Sequence, residues 1–190
     1  SDLHSIYNIN KSKLIDCLEE IKVDDCMLRL IDDLYQRNYH LFIISDSNTI
    51  FIETILKQNG IYSRFNTIFT NKASFDLNEK LVVVPFNHTY NPNKEPFDCQ
   101  TNICEKNICK GKVLDNIIKN HDAEHIIYVG DGTNDYCPGL YLTQNDNYFV
   151  RKDFSLFKLL KKEINLYQKL TAKIKYWSNA DDILCELKNN

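Results

Sequence analysis

The chain has 190 residues, 43% of them hydrophobic and 26% charged, with a net charge of −3. That is enough to bury one core, and it excludes a global basic field that would recruit nucleic acid or an anionic membrane surface. No apolar run approaches the roughly 20 residues needed to span a bilayer, and the opening SDLHSIYNINKSK lacks the apolar centre of a secretory signal. The seven cysteines are Cys17, Cys26, Cys99, Cys104, Cys109, Cys137 and Cys185. Their odd number, without an export signal, reads as reduced thiols of a cytoplasmic protein. The chain begins at Ser1 and its one methionine is Met27, so the numbering is expected to start inside a longer protein.

In chain order, Ser12 is expected to cap a helix carrying Leu14, Cys17, Leu18 and Ile21 at helical spacing. Asp24 or Asp25 caps a second, with Leu28, Ile31, Leu34 and Tyr35 as its stripe. HLFIIS, residues 40–45, is short, apolar and rich in branched residues, so it predicts a buried strand. NTIFIETILKQNG follows as a helix, with Asn48 as start and Gly60 as stop. TIFT (67–70) and LVVVPF (81–86) are further strands, and residues 87–107 show no periodicity and read as a loop. A helix is predicted from about Lys110 to His121, through Val113, Leu114, Ile117 and Ile118, followed by a buried strand HIIYV (125–129). YFV (148–150), a helix near 154–163, IKYW (174–177) and a closing helix near 180–188 complete the order. Alternating strands and helices predict an α/β protein with a mainly parallel sheet.

Two strand ends carry dense polar sequence, where ligands bind in an open parallel sheet. The second is GDGTND, 130–135. Its glycines flank Asp131 and allow close backbone approach. Asp131 and Asp135 are hard oxygen donors, and magnesium takes few protein carboxylates and leaves room for a phosphate. The plainer alternative is a turn in which Asp135 caps a helix. At the first end, Ser45-Asp46-Ser47-Asn48, a hydroxyl followed by a helix N-terminus suits phosphate, while for Ser45 and Asn48 the alternative is helix capping. Asp46 repels a bare phosphate, so it pairs with a cation or greets a positive group on the substrate. Lys110, twenty residues before Gly130, is a compact charge suited to phosphate; Lys112 is the competing candidate.

In this order the serine, the lysine and the acidic strand end resemble the haloacid-dehalogenase (HAD) superfamily. P-type ATPases share a similar GDGxND motif, but no membrane-length segment supports that reading here. IISDSNTIFIETIL, CEKNICKGKVL, IIYVGDGTNDYCPGLYL and VRKDFSLFKLL look more narrowly like the PHOSPHO family of phosphoethanolamine/phosphocholine and pyridoxal-phosphate phosphatases. The similarity runs from about residue 12 to the C-terminus. In that family the lysine follows a cysteine, which selects Lys110. The resemblance implies a HAD-like (Rossmannoid), mainly parallel sheet flanked by helices, lacking the first core strand and most of the cap. Residues 1–38 would be a remnant of the helical cap with the helix leading inward, and 39–190 the core.

It also implies a phosphatase of small phosphomonoesters that works through a phospho-aspartate with Mg2+. Asp131 would hold the metal and Asp135 orient its shell. Ser45 and Lys110 would bind phosphoryl oxygens, Asn134 would contact the nucleophile or phosphoryl group, and Asp46 and Asn48 would lie on the substrate side. The superfamily's Asp-x-Asp-x-Thr, which supplies nucleophile and general acid, is not in this sequence. Truncation ahead of Ser1 is the simplest account, which makes the chain an inactive fragment. The alternatives are a catalytically dead binding or regulatory protein, and a zinc-binding module built on His88 with Cys99, Cys104 and Cys109. No nucleic-acid or membrane partner is expected.

Overall fold

The structure, a computed structural model, describes residues 10–87, 99, 101, 103, 104 and 106–188. The chain forms two compact units, Ser1–Lys94 and Glu95–Asn190. Among the described residues no helix is long and apolar enough to cross a membrane.

In the first unit, α1 spans Lys11–Glu19 and is capped by Asn10, whose side chain accepts from the Lys13 amide at 2.9 Å. Ser12, the expected cap, lies within the first turn, because Asn10 supplies the same short acceptor two residues earlier. Helix α2, Asp25–Gln36, is capped by Asp24 as expected. Its fully buried residue is Leu30, not a member of the predicted stripe, and Tyr35 is exposed. Arg64 explains that rotation: it pairs with Asp32 at 2.8 Å and stacks over the Tyr35 ring, holding that face outward. Strand β1 is Phe42–Asn48 and leads into α3, Thr49–Gln58. Asn48 caps α3 by accepting from Phe51 at 3.1 Å, and Gly60 ends it at φ +71°, a left-handed conformation that glycine adopts without steric cost.

β1 runs parallel to β2 (Thr67–Phe75), and β2 turns back antiparallel onto β3 (Leu81–Val84). Among the described residues the order β1-β2-β3 puts β1 at one side of its sheet, paired with β2. That is why its apolar residues, predicted to be buried, are half-buried. The ladder slips after Ile44, which opposes Phe69, and resumes at Asn48, which opposes Asn71. Ser45, Asp46 and Ser47 therefore bulge out of register. Buried Asn71 pins the bulge: its Nδ2 donates to the carbonyls of Asp46 at 2.7 Å and Ser47 at 2.6 Å, while its Oδ1 accepts from Phe86 at 2.9 Å.

The second unit begins its regular structure with α4, Lys110–Asn120, followed by β4, Ile127–Gly130. A 3-10 turn at Thr133–Asp135 and the short α5, Tyr136–Gly139, lead to β5, Asn147–Arg151. Then come α6 (Ser155–Lys162), α7 (Ile164–Tyr167), β6 (Lys173–Trp177) and α8 (Ala180–Lys188). The sheet is parallel in the order β4-β5-β6, with Val129 opposite Phe149 and Phe149 opposite Lys175. Central β5 carries the core: Tyr148, Phe149 and Val150 are buried, as are Leu156 and Ile183 from the covering helices. β4 is at the side of the sheet, so Val129 is exposed although its run read as buried. Buried Asp146 aligns the starts of β4 and β5, accepting from the amides of Ile126 at 2.8 Å and Thr143 at 2.7 Å. The α/β class and parallel pairing hold, with the β2–β3 hairpin as an antiparallel addition.

Candidate active site at the carboxyl end of β4

β4 ends at Gly130, and the chain turns through Asp131-Gly132-Thr133-Asn134-Asp135. The two glycines make room for what the turn encloses. A Cβ on Gly130 would lie 2.6 Å from the Cβ of Asp135, and one on Gly132 would lie 2.6 Å from Oδ1 of Asn134. The side chain of Asp135 thus folds back under its own loop.

Asp135 is 3% exposed and its carboxylate is fully engaged. Oδ2 accepts from the amides of Asp131 at 3.0 Å and Gly132 at 2.9 Å. Oδ1 accepts from Nζ of Lys110 at 2.8 Å and from the Tyr128 hydroxyl at 2.8 Å. The hydroxyl of Tyr148 donates to its backbone carbonyl. Burial, then the charge of Asp135, pushes the Tyr128 hydroxyl well above its usual range. It therefore stays protonated and donates. A buried carboxylate is tolerated only when its lone pairs are occupied and a counter-charge is present, and Lys110, 9% exposed at the start of α4, is that counter-charge.

Asp131 occupies the opposite environment. Its side chain is 48% exposed, with Nη1 of Arg151 at 3.8 Å. Its carbonyl accepts from the Leu156 amide at 3.0 Å and the Ser155 hydroxyl at 3.3 Å, so the carboxylate is the part it offers outward. Magnesium takes one or two carboxylates and keeps several waters for exchange with phosphate. A lone half-exposed carboxylate at a strand end fits such an ion as one ligand. Among the described residues, the gathering of three or more His, Cys, Asp or Glu ligand atoms lies elsewhere, at Cys99, Cys104, Cys109 and Cys137.

The structure thus brings Lys110, Asp131, Asn134 and Asp135 into one turn-and-helix-start, with Asn134 half-buried beside Gly132. Lys112, the rival lysine, is exposed on α4. Ser45, Asp46 and Asn48 belong to the first unit. Ser45 Oγ accepts from the Ser47 amide at 3.2 Å, Asp46 is exposed on the bulge, and the side-chain oxygen of Asn48 is occupied as the α3 cap. His88 lies outside the described residues. All seven cysteines are free thiols, as expected. Tyr128, Arg151 and Asn71 were missed in the sequence. Tyr128 is the one hydroxyl in the run HIIYV, but nothing in that run names Asp135 as its partner.

Comparison with known proteins gives a consistent picture. A protein-family model described as Putative Phosphatase matches residues 2–189. A thiamine phosphate phosphatase-like protein of Arabidopsis thaliana is 32% identical over 170 residues, 87% of this chain and 66% of that one. A probable phosphatase phospho2 of Xenopus tropicalis is 36% identical over 156 residues, 80% of this chain and 60% of that one. The pyridoxal phosphate phosphatase PHOSPHO2 of Rattus norvegicus is 34% identical over 158 residues, 79% of this chain and 60% of that one. The chain spans 60 to 66% of the length of these relatives. Among solved structures, cytosolic 5'-nucleotidase IIIB bound to cytidine aligns over 96% of this chain and 60% of that chain, at 13% identity and a TM-score of 0.49.

The Lys110–Asp135 pair generates a prediction about stability. Asp135→Asn should cost about 3–5 kcal/mol, because it leaves a buried ammonium uncompensated. The double substitution Lys110→Met with Asp135→Asn, which removes both charges, should cost less than Asp135→Asn alone. Urea unfolding followed by circular dichroism checks this. Strictly additive effects would show that the pair is not coupled.

Proposed function

The chain belongs to the putative phosphatase family, as a HAD-type relative of the PHOSPHO enzymes, and on that premise we propose that the protein hydrolyses small phosphomonoesters through a phospho-aspartate, with Mg2+ as cofactor. The observation that carries this reading is the buried ion pair at 2.8 Å between Lys110 and Asp135 beneath the turn that offers Asp131 outward. An ammonium has three donors, and the one given to Asp135 fixes the direction of the other two. Lys110 is thereby positioned to bind phosphoryl oxygens, whose charge needs fixed donors in a loose transition state.

Asp131 would hold the magnesium ion, which when bound supplies charge neutralisation at the phosphoryl group. Asp135 keeps the loop amides turned inward and so sets the direction of the Asp131 carboxylate. Asn134 would donate to the nucleophile or to a phosphoryl oxygen. Ser45, on the pinned bulge of the first unit, would donate its hydroxyl to phosphate. The sequence holds no Asp-x-Asp, so the nucleophile and general acid of this chemistry are not supplied by these 190 residues.

The substrate proposal rests on Asp46, an exposed carboxylate next to Ser45. A like charge at about 4 Å costs roughly 1 kcal/mol in water and more in a site of lower dielectric. A substrate with a cation near its phosphate converts that cost to attraction. Phosphoethanolamine and phosphocholine fit, and pyridoxal phosphate fits through its ring nitrogen. Relatives are named for pyridoxal phosphate and thiamine phosphate, both of which pair a phosphate with a nitrogen heterocycle.

Two kinetic predictions follow for the full-length protein. Lys110→Ala should lower kcat/KM by at least about 100-fold, the scale of one positioned electrostatic donor, and Lys112→Ala by less than about threefold. The reverse order would place the phosphate lysine two residues later. For Asp46, the quantity to measure is kcat/KM for phosphoethanolamine divided by that for a neutral alkyl phosphate. Asp46→Asn should lower this ratio about tenfold if the contact is worth about 1.4 kcal/mol. An unchanged ratio, with both substrates equally slowed, would assign Asp46 to the structure of the bulge.

A further inference from the structure

Beneath the start of α4, four cysteine sulfurs converge from two chain segments. Cys99, Cys104 and Cys109 come from the segment that precedes Lys110, spaced C-x4-C-x4-C. Cys137 comes from α5, just after Asp135. Their Sγ atoms all lie within 4.8 Å of one another. The separations are 3.7 Å for Cys109–Cys137, 3.8 Å for Cys104–Cys109, and 4.0 Å for both Cys99–Cys109 and Cys99–Cys137. A disulfide needs about 2.05 Å, so no pair is bonded. A zinc ion with Zn–S bonds of about 2.3 Å in a regular tetrahedron places its sulfurs about 3.8 Å apart. Buried thiols serving only as small apolar groups fill space among aliphatic side chains. Here the four sulfurs face each other, and the neighbours that complete the cluster are Tyr141 and the cysteines themselves.

We propose that Cys99, Cys104, Cys109 and Cys137 hold a structural zinc ion. The zinc reading of the sequence named His88 with three of these cysteines. His88 lies outside the described residues, and the fourth ligand proposed here is Cys137, which comes from the other segment. Four protein sulfurs leave no open position for water or substrate, which makes the ion structural rather than catalytic. Tetrahedral all-sulfur coordination suits zinc or an iron–sulfur centre, and the small span of the cluster suits a single ion. Cys109 also precedes the eleven-residue α4 directly, where the helix dipole favours a thiolate.

The ion has a positioning role. Cys109 adjoins Lys110, and Cys137 lies two residues after Asp135. One zinc therefore clamps the segment bearing the lysine to the turn bearing its carboxylate. Gly111 belongs to this design: a Cβ there would lie 2.6 Å from Sγ of Cys137 and 2.9 Å from the Tyr141 ring.

The proposal is independent of the phosphatase reading, and its test reads metal rather than activity. The full-length protein is expressed with added zinc, purified without chelator, and its zinc and iron are counted by plasma mass spectrometry. Wild type and the Cys17→Ser/Cys185→Ser variant, altered at two exposed cysteines, should each carry about one zinc per chain. Cys104→Ser, at the half-buried corner of the cluster, should drop the zinc content at least tenfold. Should that variant fail to fold, cobalt exchange into the wild type decides: a tetrathiolate site gives the visible absorption of tetrahedral cobalt with sulfur-to-metal charge transfer. Zinc below a tenth of an equivalent in wild type, iron in its place, wild-type zinc content in folded Cys104→Ser, or cobalt spectra without thiolate character would each overturn the proposal.

Discussion

Everything at the end of β4 depends on the carboxylate of Asp135. A buried charge must have its partners supplied by the protein, since water cannot supply them. Here the partners come from three directions: Lys110 from the start of α4, the Tyr128 hydroxyl from β4, and two amides from the turn itself. Each partner is thereby fixed by the same atom pair. The constraint is stringent because removing one partner from a buried pair costs about 3–5 kcal/mol, a large share of the 5–15 kcal/mol that separates folded from unfolded domains.

The same loop contains two aspartates with opposite tasks, and burial alone separates them. Asp135, enclosed and saturated, organises. Asp131, half-exposed with Arg151 at 3.8 Å, faces outward. A motif of alternating glycine and acid produces this division because glycine at 130 and 132 leaves space for side chains to fold inward at 134 and 135. The cysteine cluster adjoins the same junction through Cys109 and Cys137, and on the zinc proposal it fixes the two segments by coordination as Asp135 fixes them by charge.

How much of this was legible from sequence follows from what each feature depends on. Local signals were reliable: Asp24 and Asn48 as caps, Gly60 as a stop, and the strand at 148–150. Ser12 failed as a cap because Asn10, equally suited, came first. The burial of β1 and β4 was overestimated, because an apolar run does not say whether its strand is central or at the side of its sheet. The choice between Lys110 and Lys112 rests on a resemblance; in the structure Lys110 is buried and Lys112 exposed. What the sequence could not offer were partners brought together from distant segments. Asn71 pinning the bulge, Tyr128 on Asp135 and Cys137 beside Cys109 are separated from their partners by 24, 7 and 28 residues respectively. No periodicity or spacing rule joins them.

The claim that Asp135 holds the turn from within is tested most directly by amide hydrogen exchange at Asp131 and Gly132, followed residue by residue by NMR. Both amides sit in an exposed-looking turn, yet each donates to the buried Oδ2 of Asp135 at 3.0 and 2.9 Å. The account predicts that they exchange as slowly as the core amides of β5, since they open only when the surrounding structure does. Exchange of both at the rate of an unstructured peptide, with β5 still protected, would contradict it.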